Sequence, residues 1–346
     1  MNFSKSLIQW YLQNKRDLPW RNTIDPYHIW LSEIMLQQTR VAQGLPYYLR
    51  FTDAFPTVFD LAEASEEEVL KLWQGLGYYS RARNLHKTAQ QIAFELDGEF
   101  PKTYTELLKL KGIGEYTAAA IASFSYNENV SVVDGNVYRV LSRYFDVETD
   151  IASSGAKKEF TQLASELLPN GQANLFNQAI MEFGALQCVP KNPDCANCIF
   201  NDSCLALQQK KVAELPVKSK KIKVKTRFFS YLVFRDEANN TIIEKRTQKG
   251  IWHNLYEFPL IETDHEITNF QLEELLQKQP LADNKMLSIS RFNSDLIVHK
   301  LTHQHLNIHF WEVKLEGLLS GGTDWESVKK LPFPIVIHNF IEAERF

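Results

Sequence analysis

The four cysteines of the chain all fall between residues 188 and 204. They stand at Cys188, Cys195, Cys198 and Cys204, with the spacing C-x6-C-x2-C-x5-C. Four clustered thiols without a neighbouring catalytic histidine indicate metal binding rather than disulfides or nucleophilic catalysis. Four thiolates can hold either tetrahedral zinc or a cubane iron–sulfur cluster, so the spacing by itself leaves both open.

The chain has 346 residues, which is longer than one hydrophobic core usually supports, so we expect two domains. Apolar residues recur every three or four positions from residue 7 to 182, which predicts an all-α domain over residues 1–213. A lysine-rich segment with a proline, residues 214–226, is the expected linker. Residues 227–346 predict an α+β domain. Its expected strands and helix are 228–234, 241–246, 306–313 and 269–277.

Charge along the chain is unevenly distributed. The formal net charge is −4, and residues 227–346 carry all of it, with 13 basic against 17 acidic side chains. Before that region lies a basic strip, which fits either a contact with phosphates or a solvated linker. The strip consists of Lys210, Lys211, Lys218, Lys220, Lys221, Lys223 and Lys225. No apolar run is long enough for a membrane span or secretion signal, so we expect a cytoplasmic protein.

Two glycines, Gly112 and Gly114, stand immediately before an alanine-rich stretch that predicts a helix. Glycine permits a tight turn, and the N-terminus of a helix offers unpaired N–H groups to a phosphate. Taken alone, this pattern is more typical of an ordinary turn between two helices. It is therefore only a candidate phosphate contact.

Two carboxylates stand in apolar surroundings. Glu33 lies in a largely apolar predicted helix, where burial would raise its pKa toward the range useful for a general acid. Helical periodicity alone favours a surface glutamate on an amphipathic helix. Asp134 ends an apolar run and would cap the following helix, which on local sequence is its simplest role.

Seven stretches in the same order resemble adenine DNA glycosylases of the MutY type, in the endonuclease III (helix-hairpin-helix) superfamily. The most specific is Ser-Glu-Ile-Met-Leu-Gln-Gln-Thr at 32–39, because the wider superfamily lacks Glu33. The resemblance implies an all-α glycosylase domain with a [4Fe-4S] cluster in the 188–204 loop and a Nudix-like C-terminal domain. The other matching stretches are 18–21, 75–83, 110–118, 134–136, 176–179 and the cysteine loop.

The resemblance also implies roles for the acidic residues. Glu33 would protonate adenine at N7 and then activate water, Asp134 would stabilise the sugar cation, and Tyr116 would lie close to both. Bifunctional members of the superfamily have a lysine nucleophile where this chain has Tyr116. We therefore expect a monofunctional glycosylase.

Chemistry on a stacked base requires flipping it out of the duplex. In the family pattern, Gln38 and Tyr78 form the wedge that fills the gap. For each DNA-contacting candidate the alternative is a role in core packing or on a helix surface. The other candidates in this domain are Trp20, Arg21, Leu36, Thr39, Gly112, Gly114, Asn136 and Gln178.

The second domain carries a stretch, residues 250–259, that resembles the Nudix-like domain of MutY proteins. Residues 272–275 lack the glutamate spacing of a working Nudix hydrolase, so we expect recognition without hydrolysis. Leu301, Thr302 and His303 align with the family's Phe-Ser-His loop that reads 8-oxoguanine. Leu301 replaces the aromatic residue of that loop.

Three rival interpretations remain at this stage: a zinc-containing DNA-binding module, a Nudix-type nucleotide hydrolase, and a glycosylase or lyase acting on thymine or oxidised pyrimidines. We favour a monomeric bacterial enzyme that acts on double-stranded DNA with adenine opposite 8-oxoguanine or guanine. No membrane association is expected, and the sequence specifies no protein partner.

Overall fold

The computed structural model describes residues 2–219, 223–278 and 284–344. The helices are α1 (Phe3–Asn14), α2 (Pro26–Leu36), α3 (Val41–Ala54), α4 (Val58–Glu63), α5 (Glu66–Trp73), α6 (Ser80–Glu95), α7 (Tyr104–Leu107), α8 (Glu115–Tyr126), α9 (Gly135–Phe145), α10 (Ala156–Leu167), α11 (Ala173–Leu186), α12 (Leu205–Gln208), α13 (Asn269–Lys278), α14 (Trp325–Val328) and α15 (Ile335–Glu344). The strands are β1 (Lys225–Arg235), β2 (Glu244–Lys245), β3 (Tyr256–Glu257), β4 (Leu260–Thr263), β5 (Met286–Arg291), β6 (Ile297–Lys300) and β7 (Gln304–Leu315). The described part of the chain contains no helix that is long and apolar enough to cross a membrane.

The chain divides into two compact units, one of residues 1–64 with 84–220, the other of residues 65–83 with 221–346. In the first unit, α2 is buried on nearly all sides, and it packs against α8, whose residues 117–124 are also buried. A helix that is apolar all round belongs in a core, and the small alanines of α8 allow a close approach. Position 33 is therefore inside the unit.

The ends of the helices that carry the candidate site are capped by side chains. Asp25 accepts a hydrogen bond from the Tyr27 N–H, and Pro26 occupies the first turn of α2. Helix α9 begins after Asp134, whose carboxylate caps it. Helices α1, α9 and α11 then enclose a second core around Leu7 and Phe176.

The second unit is built on a mixed sheet with the strand order β4-β1-β7-β5, to which β6 adds by pairing with β7. Strands β1 and β7 run parallel, whereas the other pairs in this sheet are antiparallel. Its core includes Leu232, Phe234, Trp311 and Val313 from the two central strands. The predicted architecture of a helical domain and an α+β domain is confirmed.

One predicted strand is much shorter in the structure. Of residues 241–246, only Glu244–Lys245 form a strand, which pairs with β3 in a separate two-stranded sheet. Thr241 makes a single isolated bridge to Thr323. The segment is divided between two partners, so it cannot form one continuous ladder.

Segment 65–83 groups with the C-terminal part of the chain, whereas the sequence-based boundaries place it in the first domain. Polar side chains of segment 65–83 account for this grouping. Lys71 Nζ donates to the carbonyl of Lys329 at 2.7 Å, and Glu67 pairs with Lys245 at 2.8 Å. Neither contact is visible in the local sequence pattern.

The basic strip is only partly available to a ligand. Lys211 Nζ lies 3.0 Å from Asp146 and 2.5 Å from Glu148, so its charge is already balanced. Lys220 and Lys221 lie outside the described residues.

Candidate active site

Glu33 lies in the middle of α2 and is only 6% exposed. Tyr116, the second residue of α8, donates its hydroxyl hydrogen to Glu33 Oε2 at 2.6 Å. Burial raises the pKa of Glu33 to about 7, the Tyr116 hydrogen bond opposes that rise, and the charge of Asp134 adds to it. Glu33 can therefore hold a proton near neutral pH and release it to a ligand.

The carboxylate of Asp134 has two functions, because it caps α9 and also faces the site. Its Oδ1 accepts from the backbone N–H groups of Asn136 (2.9 Å) and Val137 (2.8 Å), and its Oδ2 accepts from Asn136 Nδ2 (2.8 Å). Burial raises the pKa of Asp134, and these hydrogen bonds counteract the rise. The carboxylate is thus held rigidly by three N–H donors.

Glu33, Asp134 and Tyr116 line one cavity of about 630 Å³. Its size lies in the range of roughly 300–1,000 Å³ that is usual for ligand pockets. Six further candidates also line it: Trp20, Arg21, Leu36, Thr39, Asn136 and Gln178. Gln38, Gly112 and Gly114 belong to the same unit but are not part of its lining.

An ion cluster around the buried Glu182 lines this cavity, and two of its members, Arg16 and Glu182, were not predicted from the sequence. Arg16 and Arg21 each donate two side-chain hydrogen bonds to Glu182, at 2.6–2.9 Å. Burial alone would raise the pKa of Glu182, but the hydrogen bonds from Arg21 and Arg16 lower it to about 2. Glu182 lies one helical turn after Gln178, which is the only local signal that could have pointed to it.

Arg139 connects the cavity with the cysteine loop. Its Nη2 donates to Asn136 Oδ1 at 2.9 Å and its Nε donates to the Cys188 carbonyl at 2.7 Å. Asn136 in turn binds Asp134. Gly184 makes room for this arrangement, because a Cβ there would lie 2.6 Å from Asn136 Cβ.

The four cysteines line a second cavity together with Arg143. The Arg143 guanidinium lies 3.4 Å from Cys188 Sγ and donates to the carbonyls of Val189, Pro190 and Leu215. Four soft thiolates around one space, with a buried cation against them, suit a metal centre of net negative charge. The cysteines therefore suit such a group by ligand type, but among the described residues no three His, Cys, Asp or Glu side chains are grouped closely enough to hold a metal ion.

The two candidate wedge residues share a rare backbone conformation. Gln38 has φ = 58° and Tyr78 has φ = 50°, both left-handed and therefore costly for residues with a side chain. Tyr78 is half exposed, and its hydroxyl lies 2.7 Å from Thr302 Oγ1 within the same unit. The neighbouring Leu301 and His303 are in the turn between β6 and β7.

The predicted turn before α8, which contains Gly112 and Gly114 and is called the hairpin below, has one glycine that is sterically required. Gly112 has φ = 84°, and a Cβ there would approach Asn84 Cβ to 3.0 Å. Gly114 has no such restriction and directly precedes α8. Glu115, the first residue of that helix, is paired with Lys157 at 2.6 Å, which balances its charge beside the hairpin.

Comparisons with known proteins identify the family of the chain. Residues 31–169 match the HhH-GPD superfamily of base excision DNA repair proteins, and residues 230–343 match the NUDIX domain. An adenine DNA glycosylase of Buchnera aphidicola (Schizaphis graminum) is 36% identical over 88% of this chain and 86% of its own length. A human adenine DNA glycosylase is 44% identical over 60% of this chain and 40% of its own length.

The helical part also resembles solved structures. A thermostable thymine-DNA glycosylase superposes with a TM-score of 0.56 and 29% identity, over 60% of this chain and 95% of that one. The predicted family is therefore confirmed. The chain belongs to the MutY-type adenine DNA glycosylases, enzymes that hydrolyse N-glycosidic bonds.

Proposed function

We propose that the enzyme excises adenine opposite 8-oxoguanine or guanine from double-stranded DNA by acid-assisted hydrolysis and leaves the abasic strand uncut. The observation that carries this proposal is the buried Glu33, with a pKa of about 7, in one cavity with Asp134. Adenine is a poor leaving group, so its departure requires a proton on the purine. A glutamate that is half protonated near neutral pH can supply it.

In the proposed reaction, the flipped adenine enters the cavity and protonated Glu33 donates its proton to N7. The C1′–N9 bond breaks, its electron pair leaves with the base, and positive charge develops on the sugar. Asp134, held by its three N–H donors, stabilises that charge. Water then attacks C1′ and returns a proton to the Glu33 carboxylate.

The lining of the cavity supports a monofunctional enzyme. A strand-cutting glycosylase needs an amine that forms a Schiff base with the sugar. Among the described residues that line the cavity there is no lysine, and Tyr116 stands after the hairpin instead. Burial raises the pKa of Tyr116 well above 10, so its phenol stays neutral and serves as a donor to Glu33.

We assign the reading of the lesion to the second unit. Thr302 and Tyr78 are hydrogen-bonded to each other, which supports a joint contact with the orphan base by the wedge and the recognition loop. Leu301 would add an apolar contact where the family has an aromatic, and His303 an imidazole. No metal-binding glutamate set accompanies this loop at residues 272–275, so nucleotide hydrolysis is not part of the proposal.

Cys188, Cys195, Cys198 and Cys204 are proposed to hold a [4Fe-4S] cluster. The cluster supplies structural cross-linking of the loop, whose Cys188 carbonyl binds Arg139. We further propose that the enzyme acts as a monomer in the bacterial cytoplasm.

A single-turnover assay tests the function. Duplexes with adenine opposite 8-oxoguanine, guanine or thymine are incubated with wild type, Glu33→Gln and the control Glu159→Gln, an exposed glutamate of α10. Adenine release from the first two duplexes only, strand breaks only after alkali, and loss of activity in Glu33→Gln alone are expected. An active Glu33→Gln would place the acid elsewhere, and strand cleavage without alkali would rule out the monofunctional mechanism.

A further inference from the structure

Arg81 is a buried cation that contacts the ring of Tyr78, one of the two candidate wedge residues. It is 9% exposed, and desolvation lowers its pKa to about 10. Its guanidinium carbon lies 5.4 Å from the centre of the Tyr78 ring and 5.3 Å from that of Trp73. Burying a guanidinium is costly, so its location against two aromatic rings requires a reason.

The same side chain binds the turn that presents Tyr78. Arg81 Nη2 donates to the Gly77 carbonyl at 3.1 Å, and Trp73 Nε1 donates to the same oxygen at 3.0 Å. Gly77 and Tyr78 are consecutive left-handed residues, with φ of 80° and 50°. Such a turn persists only where its surroundings hold it, and these two donors do so.

We propose that Arg81 is a positioning residue for Tyr78, holding the ring at the angle required to stack beside the orphan base. This inference rests on the proposed role of Tyr78 as the wedge. The guanidinium contacts the Tyr78 ring from inside the protein, while the ring remains half exposed for a base. Arg81 thereby contributes to mispair discrimination through Tyr78 rather than by touching DNA.

A double-mutant cycle tests the coupling. Dissociation constants are measured for duplexes with 2′-fluoro-deoxyadenosine, which resists cleavage, opposite 8-oxoguanine or thymine. Arg81→Met is expected to reduce the preference for 8-oxoguanine about tenfold, the effect of losing a desolvated cation–π contact. In a Tyr78→Leu background, the same substitution is expected to have no further effect on the preference.

Arg83→Met is the matched control, because Arg83 lies on the same helix and donates to the His253 carbonyl. It should leave the preference intact. Arg81→Lys retains the cation and should keep more of the preference than Arg81→Met, and it provides the same cycle if the methionine variant does not fold. An equal loss in the wild-type and Tyr78→Leu backgrounds would overturn the proposal. A wild type without preference for 8-oxoguanine would instead contradict the proposed function.

Discussion

Removal of the Tyr116 hydroxyl is expected to make Glu33 a weaker acid. The hydroxyl donates to Glu33 Oε2 at 2.6 Å and thereby favours the ionised carboxylate, whose pKa is about 7. A hydrogen bond to a charged group contributes roughly 1.5–3 kcal/mol, and ~1.36 kcal/mol corresponds to one pKa unit. In Tyr116→Phe, the pKa of Glu33 should therefore rise to roughly 8 or 9.

The pH dependence of kcat/KM measures this pKa, because it reports the free enzyme. Glu33 acts in its protonated form, so activity falls as the pH rises through the pKa. Between pH 6 and 8, kcat/KM for adenine release should fall about tenfold in wild type, but at most about twofold in Tyr116→Phe. Each profile is compared with its own plateau, so a lower maximal rate in the variant does not affect the result.

Tyr138→Phe is the control, since Tyr138 of α9 packs edge-on against Phe160 of α10. Its profile should coincide with that of wild type. An alkaline limb that stays in place or moves to lower pH in Tyr116→Phe would refute the assignment of Glu33 as the acid tuned by Tyr116.

Four further outcomes are expected. The free energy of unfolding of Glu33→Gln, taken relative to wild type, should rise by about 3 kcal/mol between pH 4.5 and 8. The folded pKa of Glu33, about 7, exceeds the ordinary 4.5, so wild type is stabilised at low pH and loses this stability as the pH rises. A difference between the urea curves of the two proteins that is the same at both pH values would contradict this. Glu182→Gln should lower the free energy of unfolding by roughly 3 kcal/mol, because it removes the buried carboxylate from the largely buried guanidinium of Arg21 and the partly exposed one of Arg16, whereas Glu326→Gln, at an exposed pair, should cost less than about 1 kcal/mol. Arg139→Gln should slow adenine release from bound duplex roughly tenfold or more, measured by single-turnover kinetics, and an unchanged rate would remove it from the site. Arg143→Gln should lower the iron content per protein and the absorbance near roughly 400 nm, and full retention of iron would show that its contact with the cysteine loop is dispensable.

Local patterns predicted most of the helical unit, because helix propensity, apolar periodicity and caps act over a few residues. The burial of Glu33 did not follow from helical periodicity, which favours a surface glutamate; the family resemblance of residues 32–39 indicated it. The ion cluster of Arg16, Arg21 and Glu182 could not be predicted, since more than 160 residues separate the arginines from the glutamate. Only the packing of α11 beside the N-terminal segment brings these charges together.

The second unit was less predictable for the same reason. The alternating pattern indicated β1 and β7, but not that they pair in parallel with a register offset of 79 residues, with Lys225 opposite Gln304. The grouping of segment 65–83 with this unit depends on side chains such as Lys71, whose partners follow more than 250 residues later. Such pairings depend on tertiary geometry, on which local sequence carries no information.

The two carboxylates of the site differ mainly in their donors, and this difference can separate their roles. Asp134 accepts three N–H groups that all favour its ionised form, because a helix N-terminus must satisfy its free N–H groups. Glu33, in the interior of a helix, accepts the single neutral hydroxyl of Tyr116 and gains no backbone donor from its own helix. The capping role of Asp134 and its proposed electrostatic role are therefore one arrangement: the cap favours the ionised form of Asp134, and burial favours the protonated form of Glu33.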